Sequence, residues 1–387
     1  MTWDFPIDEF ERQETPFYWY DTDLLRQTIA AVKKCLKPSW HMHYAVKANF
    51  NPRILHEFAS AGFGADCVSG GEVEAAFEAG FAPEDIVFAG VGKSDREIRR
   101  ALEIGIGCFN AESIPELEAI NELAAQKGVV ARVALRVNPN IGAHTHANIT
   151  TGLAENKFGI PYEGIPAVIK ALEALPNVKC TGLHFHIGSQ ILDMTDFKAL
   201  CNRVNEVQDQ LRKALGIRLD NINVGGGLGI DYYHPNHHCI PGFEGYFKTF
   251  SDNLLLHPGQ QLHFELGRAL VAQCGSLISR VIYIKEGTHK KFAIIDASMT
   301  ELIRPALYHA YHRVENVTAE LRRGQCTDTE NYDVVGPVCE SSDVFGMAVP
   351  LPETRRGDLI ALRSAGAYGE AMASRYNLHR LPESLFK

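Results

Sequence analysis

The feature that most constrains the fold is an eightfold alternation of short apolar runs with longer helical patterns between residues 41 and 264. Runs at 41–46, 64–68, 86–89, 107–110, 131–137, 181–187, 221–224 and 261–264 have strand length. Between them the spacing predicts helices opened by Asn51-Pro52, near Gly71, after Ser94 and at Ser113, where Glu116 stands at capping-box distance. Further helices are expected over 164–175, 196–215 and 243–255. With one helix before the first strand, eight strands and eight helices predict a closed (β/α)8 barrel. An open doubly wound sheet is the alternative. The eight units, and the lack of a G-x-G-x-x-G after the first strand, weigh against it.

Beyond about residue 270 the pattern changes. β-Branched runs at 271–285, 291–295, 333–338 and 358–362 follow one another with no helix predicted between them. This predicts a second, β-rich domain, a barrel or sandwich, and residues 15–20 are expected to pair into its sheet. The expected organisation is therefore α/β: a barrel over 24–270, joined to a β-rich domain made from 1–23 and 271–387. A chain of 387 residues has room for both.

Composition narrows the function classes. A chain 45% hydrophobic and 22% charged can bury a large core. A net charge of −9 argues against a nucleic-acid surface or a polybasic membrane anchor. No apolar run approaches the roughly 20 residues that span a bilayer, and the Met1-to-Pro6 stretch lacks a basic and apolar leader. A cytoplasmic enzyme is expected. The nine cysteines, odd in number and without a C-x-x-C pair, fit reduced thiols. The histidine pairs His144/His146, His184/His186 and His237/His238 lack a second ligand pair at finger spacing, so no metal is expected.

In such a barrel, chemistry gathers at the C-terminal ends of the strands. The first strand runs into Lys47, whose amine would become usable once desolvated, although a strand-end lysine can also simply reach for water. The sixth ends in Phe185-His186-Ile187-Gly188-Ser189, which brings an imidazole and a hydroxyl to the same rim. The seventh ends in Gly225, Gly226 and Gly227, where an anion could approach backbone N–H groups, though turns also need such glycines. The eighth ends in Glu265-Leu266-Gly267-Arg268. A lysine, a phosphate cradle, a ring-facing histidine and a carboxylate together describe a pyridoxal phosphate site. The β-rich region adds Arg304 with Tyr308, suited to a carboxylate, then Cys339-Glu340 in a polar turn, and the glycine-flanked Tyr368.

These residues lie in stretches that resemble the diaminopimelate decarboxylases, members of the alanine-racemase-fold (fold type III) pyridoxal phosphate enzymes. The matching stretches are Tyr44-Ala-Val-Lys-Ala-Asn49, Asp66-Cys-Val-Ser-Gly-Gly-Glu72, Phe185-His-Ile-Gly-Ser-Gln190, Gly225-Gly-Gly-Leu-Gly229 and Glu265-Leu-Gly-Arg268. Arg304-Pro-Ala-Leu-Tyr308, Cys339-Glu-Ser-Ser-Asp343 and Ala367-Tyr-Gly369 follow, and the segment from His144 to Ile160 also looks like this family.

The resemblance implies that Lys47 bonds covalently to the cofactor, that His186 stacks on its ring, and that Glu265 pairs with the ring nitrogen. Ser189, the Gly225–Gly227 turn, Gly267, Arg268 and Tyr368 would hold the phosphate, with Asp66 in the same cofactor-binding set. Arg268, Arg304, Tyr308 and Tyr368 would contact the substrate, the first three at its distal carboxylate. Glu340 would hold the distal ammonium, and Cys339 would return a proton to the substrate from a partner subunit. The family resemblance thus implies decarboxylation of meso-diaminopimelate to L-lysine by a homodimer with shared sites. Leu266 departs from the family, which usually has proline there; leucine leaves φ freer and adds an N–H.

Decarboxylases of ornithine, arginine or carboxynorspermidine share this fold. Arg304 with Tyr308 suits a second carboxylate better than the lone cation of the diamine-forming relatives, and carboxynorspermidine decarboxylase has a lysine motif different from Tyr44-Ala-Val-Lys-Ala-Asn49. A racemase would place arginine, not Glu265, at the ring nitrogen. A non-catalytic cofactor-binding barrel would leave the β-rich region unexplained.

Overall fold

A computed structural model describes residues 5–141, 157–319 and 329–387. The His144/His146 pair and most of the segment leading to Ile160 lie outside these residues.

The eight predicted strands form a closed parallel barrel. They are Trp40–Ala45, Gly64–Cys67, Ile86–Phe88, Cys108–Ala111, Ala131–Asn138, Val178–Phe185, Asn221–Asn223 and Gln261–Leu266. Each pairs with the next, and the eighth returns to the first with Glu265 opposite His43, which closes the ring. A two-residue strand, Ile160–Pro161, adds to the edge of the fifth; it is too short to leave a periodic signal.

The helices between strands start where local chemistry dictates. Asn51 Oδ1 accepts the Arg53 N–H at 3.1 Å, with Pro52 in the first turn. Ser94 and Glu97 form a reciprocal capping box. The box expected at Ser113 is only half made. Ser113 Oγ caps the Glu116 N–H, but the Glu116 carboxylate turns instead to Lys93 Nζ at 2.6 Å and the Glu112 N–H at 2.8 Å. A buried lysine is the stronger attractor for that carboxylate. On the outer face of the eighth strand, Phe264 packs against Trp40, Tyr246, Phe247 and Phe250, aromatic rings that bury the helix Phe243–Asn253.

Barrel interiors are commonly filled by layers of branched apolar side chains. This one is polar. His43 Nε2 lies 3.0 Å from His263 Nδ1, whose Nε2 is 3.1 Å from Asn221 Oδ1. Burial pushes the His263 pKa down to about 2, with His43 and His41 adding to the effect, so the ring stays neutral. A second polar layer, nearer the strands' C-terminal ends, is part of the candidate site.

The β-rich unit comprises the N-terminal residues through Thr28, Ile230–Pro241 and Ala269–Lys387. The barrel unit is Ile29–Gly229 with Gly242–Arg268. The grouping of Ile230–Pro241 with the β-rich unit differs from the expected continuous barrel segment, because this loop has no helix or strand periodicity to declare its allegiance.

The N-terminal strand Phe17–Tyr20 pairs antiparallel with Gly275–Glu286 and parallel with Glu383–Phe386. Gly275–Glu286 also pairs with Leu359–Leu362 and Lys291–Ile295, and the latter continues to Thr329–Val335 and Val344–Pro352. Phe10, Phe17, Trp19, Ile278, Val317, Leu359 and Ala361 form one of its cores. The region is not helix-free as predicted: short helices at Arg268–Val271 and Arg304–Tyr308 are too brief to show a 3.6-residue period.

Candidate active site

The first barrel strand ends at Ala45, and Val46–Ala48 forms a single tight helical turn. Val46 and Ala48 are buried, while the Lys47 side chain remains about a third exposed. The turn is braced by Tyr44, whose hydroxyl donates to the Asn49 carbonyl at 2.9 Å. Lys47 Nζ lies 3.4 Å from Asp66 Oδ2, supplied by the second strand. Burial and the charge of Glu265 raise the Asp66 pKa, and Lys47 opposes them. The other oxygen, Asp66 Oδ1, is buried with no hydrogen-bond partner among the described residues. An orphaned acceptor beside an amine marks a place built for a further polar group.

Glu265 is the centre of the upper polar layer. Its Oε1 accepts from Asn223 Nδ2 at 2.6 Å and Asn110 Nδ2 at 3.3 Å, and its Oε2 lies 2.9 Å from His184 Nε2. Burial by itself would raise its pKa. His184, then Lys47 and His43, outweigh burial and hold the carboxyl well below the usual carboxylate range. A deeply buried carboxylate held in its ionised form suits a partner that must keep a proton. Asn110 and Asn223 were not singled out from sequence, and His184 was noted only as half of a histidine pair; its i, i+2 spacing from His186 puts both on one face of the extended chain. Those two histidines have different roles.

His186 Nδ1 accepts the Gly226 N–H at 3.3 Å, and burial with the nearby Lys47 and Arg136 charges pushes its pKa well down. The ring is therefore a neutral plate. Ser189 Oγ accepts from Arg268 at Nη2 (3.1 Å) and Nε (3.4 Å), so a guanidinium and a hydroxyl form one anion-ready pair.

The glycine turn has a different first reason from the one its sequence suggests. A Cβ on Gly225 would overlap the Phe185 carbonyl, one on Gly226 the Glu265 carbonyl, and one on Gly227 would approach Gly188 O to 2.7 Å. Gly225 and Gly227 also have φ of 69° and 113°. These glycines let three strand ends converge, and openness to an anion is an additional benefit. Gly267 is similar, with Ala48 and Ala45 side chains 2.9 and 3.0 Å from its would-be Cβ.

These groups match the demands of pyridoxal phosphate: an amine for its aldehyde, a carboxylate for its ring nitrogen, a neutral ring for its face, and a guanidinium–hydroxyl pair for its phosphate. Glu72 was quoted from the sequence without a role. It accepts the Val68 N–H at 2.8 Å, and burial raises its pKa to about 7 against the opposing effects of Val68 and Lys47.

The β-rich unit holds the other candidates. Arg304 is buried, with its Nη1 2.7 Å from His312 Nε2 and its guanidinium over the Tyr232 ring at 4.8 Å. Tyr308 is half-buried at the end of the same short helix. Cys339 and Glu340 are exposed. Their loop is folded by buried Asp343, which accepts the Met299 N–H at 2.7 Å and the Val338 N–H at 2.9 Å. Tyr376 donates its hydroxyl to Glu340 Oε1 at 2.6 Å. Tyr368 has a φ of 57°, a left-handed conformation uncommon for a bulky residue.

A family model described as "Pyridoxal-dependent decarboxylase, pyridoxal binding domain" matches residues 22–272. The chain is 62% identical over 381 residues to diaminopimelate decarboxylase of Bacteroides thetaiotaomicron, covering 98% of this chain and 97% of that protein. It is 42% identical to the Zymomonas mobilis enzyme, covering 97% and 88%. Diaminopimelate decarboxylase from Helicobacter pylori, solved in complex with L-lysine, superposes with a TM-score of 0.90 at 39% identity, over 98% of this chain and 93% of that one. With the barrel, the polar strand ends and the full-length likeness all in agreement, this chain belongs to the diaminopimelate decarboxylase family of pyridoxal-phosphate-dependent decarboxylases.

Proposed function

We propose that this chain removes one carboxylate of meso-2,6-diaminopimelate as CO₂ and leaves L-lysine, the closing step in making that amino acid. The observation that carries the reading is the barrel-mouth set of Lys47, His186, Ser189, Glu265 and Arg268 in a chain of this family. Bound pyridoxal phosphate supplies an electron sink for the bonding pair left behind when CO₂ departs. The chain's own residues do the rest. Lys47 would hold the cofactor's aldehyde through its amine. Glu265, kept ionised chiefly by His184, would hold a proton on the ring nitrogen. His186, neutral and buried, would face the ring. Arg268, Ser189, Tyr368 and the backbone of Gly225, Gly226, Gly227 and Gly267 bind the phosphate, and Asp66 steadies Lys47.

Arg304, with Tyr308 and Arg268, binds the carboxylate that is not lost, and Glu340 binds the amine beside it. Cys339 places a proton on the carbon that has lost its carboxylate. The exposure of Cys339 and Glu340 on a single chain supports a homodimer in which each serves the partner's site. No helix among the described residues is long and apolar enough to cross a membrane, and the reading places the enzyme in the cytoplasm.

The test is to supply meso-diaminopimelate, lysine, ornithine and arginine separately and follow CO₂ and product amine. CO₂ with stoichiometric lysine from diaminopimelate is expected. CO₂ from ornithine or arginine, with none from diaminopimelate, would overturn the substrate assignment.

A further inference from the structure

The sequence gives no reason to single out His312, and the structure places it directly behind Arg304. The ring lies in the stretch between the helix Arg304–Tyr308 and the strand Val314–Asn316, and it is 1% exposed. Its position is set by strand register: Val314 pairs with Leu362, and the Arg363 N–H donates to the Arg313 carbonyl at 2.8 Å. The Arg363 carbonyl is thereby brought to 2.8 Å from His312 Nδ1.

That contact decides the tautomer. A carbonyl only accepts, so Nδ1 carries the hydrogen and Nε2 is left with a lone pair. The lone pair faces Arg304 Nη1 at 2.7 Å, and a guanidinium can only donate. The arrangement therefore has one consistent protonation state, the neutral ring. The neighbours agree with it. Arg304 faces the ring from its helix, and the Tyr232 ring meets it edge-on at 5.2 Å from the segment Ile230–Pro241. The Arg363 guanidinium is paired with Glu315 at 2.6 Å, so that carboxylate is already engaged.

We infer that His312 is a positioning residue for substrate recognition: a neutral imidazole that aims the Arg304 guanidinium by accepting from Nη1, while Tyr232 supports its flat face. The role follows from the cost of aiming a long side chain. An arginine loses much of its rotamer freedom when held in one geometry. Two fixed contacts that restrict it before the substrate arrives shift that cost from binding to folding. The inference rests on the reading of Arg304 as the ligand of the retained carboxylate.

Two substitutions separate aiming from support. His312→Asn keeps a donor where Nδ1 stands and so can still bond the Arg363 carbonyl, but it has nothing to offer Arg304. His312→Gln places its oxygen near the position of Nε2. The Asn variant is expected to raise KM for diaminopimelate about ten-fold or more, the value of one hydrogen bond to a charged group. It should leave kcat within about two-fold and weaken L-lysine binding by the same factor as KM. Cadaverine, which has no carboxylate, should bind equally well to both, and its binding reports the folded fraction if the variant is less stable. The Gln variant should bring KM back towards wild type.

Arg304→Ala is measured alongside. If it raises KM while both His312 variants leave KM and lysine binding unchanged, the positioning role is overturned and the reading of Arg304 stands. If Arg304→Ala itself leaves KM unchanged, that reading fails, and the role of His312 fails with it.

Discussion

Replacing Glu265 tests the centre of the site, because three separate strands deliver donors to this one carboxylate. Asn110, His184 and Asn223 all direct N–H groups at it, within 2.6 to 3.3 Å, and all are buried. Each buried donor left without an acceptor costs about 1–3 kcal/mol. Glu265→Ala strands three, so the expected loss is roughly 3–9 kcal/mol, comparable with the whole stability of a domain, about 5–15 kcal/mol. Glu265→Gln keeps the volume and one oxygen but turns an NH₂ towards at least one donor, for a loss of about 1–3 kcal/mol.

At about 2–4 °C per kcal/mol for a domain of this size, the Gln variant should melt roughly 2–12 °C below wild type. The measurement is thermal unfolding of the cofactor-free protein, so that weakened cofactor binding does not add to the shift. The pH dependence carries a second signature. The folded pKa of Glu265 lies below its unfolded value, so its ionised form stabilises the fold above the unfolded pKa of about 4.3 and the benefit is lost as pH falls. The gap between wild type and Gln should therefore narrow in acid. A Glu265→Ala chain that unfolds at the wild-type temperature would refute the idea that this carboxylate organises the barrel mouth.

Three further outcomes are expected. Lys47→Ala should lose both the visible absorbance of bound cofactor and all turnover; an active variant with that absorbance intact would remove Lys47 from the chemistry. Cys339→Ala should keep the absorbance and slow kcat at least ten-fold, as loss of a general acid does; unchanged kcat would exclude the thiol as proton donor. Glu72 has a folded pKa raised to about 7, against about 4.3 when unfolded. Stability should thus be highest below the unfolded value and fall as pH rises to 7, by about 1–3 kcal/mol after allowing for partial exposure. Denaturant titrations of wild type and Glu72→Gln at pH 5 and 8 should show that loss in wild type alone.

Much of the barrel could be read from sequence, because its signals are local. Strand-length apolar runs, the Ser94–Glu97 capping box and Pro52 after Asn51 each depend on neighbours within a few positions. The strand-end rule then pointed to Lys47, His186, Glu265 and Arg268. The N-terminal strand was also legible as a sheet partner, since its aromatic run has nowhere else to bury. Two elements were not. Val314–Asn316 has only three residues, and Val344–Pro352 buries only Phe345 and Leu351, so neither produces a regular alternation to detect.

The functional roles divide in the same way. Sequence alone determined the residue types that the chemistry requires and the order in which the strands present them. Only the tertiary structure decided which donors meet Glu265, because Asn110 lies 155 residues from it, His184 81 and Asn223 42. It likewise decided that the glycine turn exists to let strands converge, and that His312 stands behind Arg304. Such contacts are made by barrel closure and strand register, which bring distant positions together. A polar residue inside a strand has no local feature that says whether it will face water, an acceptor or a neighbouring charge.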